Sequence, residues 1–130
     1  MEAKGDASPV TEADRAAERA LRAFLAERFP AHGIMGEEYG TERGDAEYLW
    51  VLDPIDGTRA FLTGRPLFGT LIGLLHRGVP VLGLIDQPVT GERWVGVAGE
   101  GTRFTSRLGG TAQVRPCPRL AEAELAVTSP

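Results

Sequence analysis

Over the first quarter of the chain, polar and apolar residues alternate with a helical period. In "SPVTEADRAAERALRAFLAERFP" (residues 8–30), Ala13, Ala17, Leu21, Phe24 and Phe29 approximate one apolar stripe, with Glu and Arg on the other faces. This predicts a helix entered after Pro9 and stopped by Pro30, which cannot continue one. "TEAD" at its start has the form of a capping box, Thr11 and Asp14 each bonding the other's backbone amide, with Asp in place of the more usual Glu.

Beyond Pro30 the period shortens. "GIMGEEYG" (33–40) reads as a short apolar strand ending in Glu37 and Glu38. "AEYLWVL" (46–52) is apolar on both faces, which predicts a central strand in a covered sheet. Four further β-like runs follow: "LFGTLIGLLHRG", "VPVLGLIDQPVTG", "ERWVGVAGEG" and "TRFTSRLGG". Turn chemistry at "RGVP" and "VTGE" joins them into an antiparallel meander. No repeat, low-complexity segment or linker interrupts the chain. The pattern is α+β: a leading helix, then a largely antiparallel sheet.

Composition narrows the function classes. The 130 residues fit one domain able to bury about two-thirds of its unfolded surface. No apolar run approaches the roughly 20 residues of a membrane span, and "MEAKGDASPV" lacks the apolar core of a signal peptide. We therefore expect a cytoplasmic protein. A net charge of −4 argues against a nucleic-acid partner, because phosphate backbones are bound by concentrated Lys and Arg. The expected partner is small. The single cysteine, Cys117, lies between two prolines with no histidine nearby and reads as a bystander thiol.

The chemistry concentrates in "WVLDPIDGTRAFLTGRP" (50–66), where an apolar strand runs into two aspartates three apart. Asp53 precedes Pro54, which keeps Asp53 extended and is expected to end the strand there. Gly57 permits a tight bend or close backbone approach, and Thr58 starts a short helix through "TRAFL". In such a turn Asp53 and Asp56 point the same way and the Ile55 carbonyl joins them. Two like charges held close cost several kcal/mol at moderate dielectric unless a cation lies between them. An oxygen-only set suits Mg²⁺ or Mn²⁺ rather than zinc. The plain alternative, two aspartates capping a turn, remains open on the residues alone.

"GEEYG" followed by "WVLDPIDGT" resembles the two N-terminal motifs of the inositol monophosphatase superfamily of metal-dependent phosphatases. "GTRAFLTGRPLFGTLIGLL" and "LIDQPVTGERWVGVAG" are most similar to its histidinol-phosphate phosphatase branch. The resemblance runs from Lys4 to Pro130 and implies a layered α/β sandwich, here residues 1–130 as its N-terminal portion without the C-terminal half.

It also implies that Glu37, Asp53 and the Ile55 carbonyl bind one Mg²⁺, with Mn²⁺ as a substitute, and that Asp53 bridges to a second ion held by Asp56. A water positioned by Glu37 with Thr58 would attack phosphorus in line, and Asp14 would orient Thr58. The Gly57 and Thr58 amides, at a helix start, would hold a phosphate oxygen. Lys4 matches a family lysine near the metals, and Glu38 would lie just behind them. His32 and His76 are not expected as ligands, since neither pairs with another His or Cys at metal spacing. Trp50, Leu52, Phe61 and Phe68 read as core, whereas Arg59 and Arg65 either meet substrate or coat the surface.

The sequence also departs from the family. Complete members are longer and carry a C-terminal Trp-Asp motif whose aspartate completes the second metal site. Trp94 is followed by Val95, and Asp86 lies in a strand placed away from the metals, so neither substitutes. Two expectations follow. One is a phosphatase of small phosphomonoesters, histidinol phosphate in histidine biosynthesis before inositol phosphate, working as a homo-oligomer, a dimer at its simplest. The other is a catalytically incomplete fragment or subunit. In either case residues 1–130 alone are expected to be inactive.

Overall fold

The computed structural model describes residues 2–3 and 9–126, and of residues 2, 3, 9 and 10 the backbone only. Lys4 lies outside the described residues. Strands β1 (Glu2–Ala3) and β2 (Pro9–Val10) form a small antiparallel pair ahead of helix α1 (Glu12–Arg28). Thr11 caps α1, and the reciprocal capping box with Asp14 is present. The Ala-rich interior favours the helix, and Pro30 follows its C-cap, Phe29.

The main sheet has seven strands: β3 (Gly33–Gly36), β4 (Gly40–Glu42), β5 (Tyr48–Asp56), β6 (Gly69–His76), β7 (Val79–Gln87), β8 (Glu92–Val97) and β9 (Gly101–Thr105). Their order is β4-β3-β5-β6-β7-β8-β9, and a short helix α2 (Thr58–Leu62) joins β5 to β6. Only β3 and β5 are parallel; every other neighbour is antiparallel. The meander is thus as expected. Arg77 and Gly78, both at positive φ, make the two-residue β6–β7 turn, whose left-handed backbone matches the strand twist.

Three expectations need correction. The apolar stripe of α1 is not its deepest face. Asp14, Glu18, Arg22 and Leu25 are the buried positions, whereas Phe24 is 52% exposed. Charged groups can occupy that face because specific partners satisfy them. Second, β5 is central, but among the described residues only one of its faces is covered. α1 lies over Leu52, Trp50 and Ile72, where Leu25, Ile34 and Leu52 form the core. Opposite α1, Val51, Leu71, Ile85 and Trp94 line an open trough of about 790 Å³ floored by Gly73, Gly83 and Gly96. Third, β5 continues beyond Asp53 to Asp56.

Candidate active site

The end of β5 is irregular in a way that bears on its chemistry. Asp53 pairs with Leu71 and Asp56 with Gly69, so three steps along β5 match two along β6. One extra residue in a ladder is a β-bulge. In a regular strand, residues three apart face opposite ways. The extra residue returns Asp56 to the side of Asp53, away from α1. Pro54 sits inside the bulge, where its missing N–H costs the ladder nothing, and its carbonyl accepts the Thr70 hydroxyl at 2.8 Å.

Gly57 then reverses the chain at φ 90°, ψ 37°. A Cβ there would lie 2.7 Å from the Leu67 carbonyl oxygen, so backbone and space both require glycine. Thr58 opens α2, whose Phe61 meets Phe68 edge to face at 5.1 Å. Arg59 and Arg65 are both exposed around this helix.

The Thr58 hydroxyl lies 3.2 Å from the Ile55 carbonyl oxygen and 3.5 Å from Asp14 Oδ1. Its one proton serves one acceptor at a time, and the carbonyl is nearer. Asp14 is 2% exposed, and its Oδ2 accepts the Thr11 amide at 2.9 Å and the Thr11 hydroxyl. Both readings of Asp14 therefore have a structural counterpart: a tight cap and a longer reach to Thr58.

Glu37 stands in the β3–β4 turn. β3 runs parallel to β5 with Gly36 opposite Leu52, so Glu37 follows β3 where Asp53 continues β5. The sheet thus brings both motifs to neighbouring strand ends. Glu38 is half-buried beside it. The donor set is all oxygen, two carboxylates on one face of a bulge with a third at the adjoining strand end. Oδ1 of Asp53 is shielded from solvent. That chemistry fits a hard divalent cation. Among the described residues, however, no three His, Cys, Asp or Glu side chains converge closely enough to hold an ion.

The remaining candidates lie elsewhere. His32 and His76 sandwich Tyr48 at ring distances of 4.9 and 4.6 Å, at the opposite end of β5 from the aspartates. His32 accepts the Trp50 indole N–H at 3.1 Å, and His76 bonds Glu47 at 2.9 Å. Asp86 is paired with Arg93 at 2.6 Å, and Cys117 is exposed.

Sequence reasoning passed over Glu18 and Arg22, which are buried against the Glu37 turn. The available signal was spacing: Asp14, Glu18 and Arg22 stand four residues apart on one line of the helix.

A helix-backed mixed sheet that ends its central strand in Asp-Pro-Ile-Asp-Gly-Thr defines a class of protein, and comparison with known proteins names it. The inositol monophosphatase family model matches residues 1–130, and the chain belongs to that family. It is 50% identical over 129 residues to the chloroplastic bifunctional phosphatase IMPL2 of Arabidopsis thaliana, which covers 98% of this chain and 36% of that protein. It is 41% identical over 101 residues to a histidinol-phosphatase of Mycobacterium tuberculosis, covering 78% of this chain and 39% of the relative. An inositol monophosphatase from Zymomonas mobilis superposes with a TM-score of 0.71 at 53% identity, over 91% of this chain and 44% of that one. The chain thus spans about two-fifths of the length of the proteins it matches. Members of the family are phosphatases that use divalent metal ions, typically Mg²⁺. No helix among the described residues is long and apolar enough to cross a membrane.

Proposed function

We propose that this chain carries the first metal-binding motifs of a Mg²⁺-dependent phosphomonoesterase whose preferred substrate is histidinol phosphate. Inositol phosphate is the alternative. The observation that carries this reading is the bulge that turns Asp53 and Asp56 to one face beside the Glu37 strand end, in a chain of this family. Divalent cations held by Glu37, Asp53, the Ile55 carbonyl and Asp56 would supply Lewis-acid polarisation and neutralise phosphate charge. Mn²⁺ would substitute for Mg²⁺.

The chain's own groups then have distinct tasks. The Thr58 hydroxyl and the Glu37 carboxylate position the attacking water. Asp14, braced by its bonds to Thr11, orients Thr58. The Gly57 and Thr58 amides donate to a phosphate oxygen at the start of α2. No protein nucleophile is required.

The bulk composition favours a cytoplasmic setting, without nucleic acid or membrane. One observation favours a second reading, that residues 1–130 are an incomplete unit which needs a cover and self-associates, at its simplest as a dimer. That observation is the uncovered apolar trough. Residues 1–130 alone are then expected to show negligible turnover.

Assaying histidinol phosphate and inositol phosphate, with Mg²⁺ and with a chelator, separates the readings when both the full-length gene product and residues 1–130 are tested. Mg²⁺-dependent hydrolysis by the former alone is expected. Metal-independent hydrolysis, or none of either ester by the full-length product, would refute the proposal.

A further inference from the structure

Glu18 has 0% of its surface exposed, although it is a carboxylate on the first helix. A buried charge persists only when its partners replace water. Here they come largely from one turn. Glu18 Oε2 accepts the Glu38 amide at 2.7 Å, and Oε1 accepts the Tyr39 amide at 3.2 Å and Arg22 Nε at 2.8 Å.

Arg22 extends the grip. Its Nη1 donates to Glu42 at 2.9 Å, its Nη2 donates to the Gly40 carbonyl, and its guanidinium lies 6.0 Å from the centre of the Tyr39 ring. The contact is built from the turn side too. A Cβ on Gly36 would fall 1.9 Å from Glu18 Oε1, so glycine is what lets the carboxylate reach the turn.

We propose that Glu18 is the positioning residue of the candidate active site. It fixes the backbone of the 37–39 turn from α1 and so sets where the Glu37 carboxylate stands relative to Asp53. Asp14, one helical turn earlier, lies 3.5 Å from the Thr58 hydroxyl, so one line of α1 faces both motifs. The inference rests on Glu37 being a metal ligand, but its structural half does not, and the test treats the two separately.

The measurement is amide exchange by NMR on residues 1–130, with Mn²⁺ titration of the same samples. In the wild type the Glu38 and Tyr39 amides exchange as slowly as those of β3. Glu18→Gln raises their exchange about tenfold, the scale of one weakened charge-assisted bond, while the β6 and β7 amides stay unchanged. Gly36→Ala does the same from the other side with Glu18 intact.

Both variants weaken Mn²⁺ binding by about tenfold or more, the scale seen when a ligand's support is removed. Fast exchange of Glu38 and Tyr39 in the wild type would overturn the clamp without any variant. Unchanged Mn²⁺ affinity in both variants, when Glu37→Gln lowers it, would overturn the positioning role. Unchanged affinity in Glu37→Gln itself would remove the metal reading of the turn and the positioning role with it, while the exchange data would still decide the clamp.

Discussion

The face of the sheet under α1 and the face opposite it bury different things. Under α1 the most enclosed side chains include Asp14 and Glu18, alongside Ile34 and Leu52. Opposite, where none of the described residues packs, Val51, Leu71, Ile85 and Trp94 stand around a floor of glycines. Charge is inside on one face and apolar surface is outside on the other. The first arrangement works because each buried carboxylate has donors built around it, the second because the glycines leave a shape that another surface can fill.

The largest effects should come from breaking the enclosed face. Leu52→Ala is expected to cost about 2–5 kcal/mol in denaturant unfolding, as for buried leucines generally. Leu71→Ala, one strand over on the open face, should cost well under half as much. Equal losses would mean that the trough is filled in solution.

Next in size is Thr58→Ala in a hydrolytically active full-length protein. A kcat lowered by about 10², with KM nearly unchanged, is the expected result for a lost water-positioning hydroxyl. A trapped phosphothreonine would replace that mechanism with a covalent one.

Much of this was legible in the sequence, and what was not has a physical cause. The antiparallel meander followed from alternation and turn residues such as Arg77-Gly78. The motif "DPIDGT" announced its own turn and the start of α2. The bulge stayed hidden because Asp53-Pro54 satisfies the rule for a strand end, and only the β6 register reveals the extra residue. Glu18 and Arg22 stayed hidden because charges at helical spacing ordinarily face water, and their partners lie about 20 residues away. Phe24 misled for the converse reason: it fits the stripe yet is largely exposed.

A third test sharpens the open face. Trp94→Ser should lower self-association of residues 1–130 in sedimentation velocity and leave unfolding nearly unchanged. A monomeric wild type would contradict the idea that the trough seeks a cover.

The smallest effect concerns Glu47, whose carboxyl is held below its ordinary 4.5 by the hydrogen bond from His76 and the charge of Arg77. A depressed carboxyl pKa contributes stability above the unfolded value, and loses it as pH falls through the lower folded value. The melting-temperature difference between wild type and Glu47→Gln should therefore be present near neutrality and shrink as pH drops below 4.5. A difference that grows with acid would reverse the assignment.

The central claim is that the bulge at the end of β5 makes a cation site out of two carboxylates that would otherwise repel. Calorimetric Mn²⁺ titration of residues 1–130, with Asp53→Asn and Asp86→Asn in parallel, tests it most directly. The account predicts at most one measurable site in the wild type. Asp53→Asn should weaken it at least tenfold, without loss of stability in the metal-free protein, and Asp86→Asn, whose carboxylate is held by Arg93, should leave it unchanged. Wild-type affinity in Asp53→Asn, or a loss of equal size in Asp86→Asn, would contradict it.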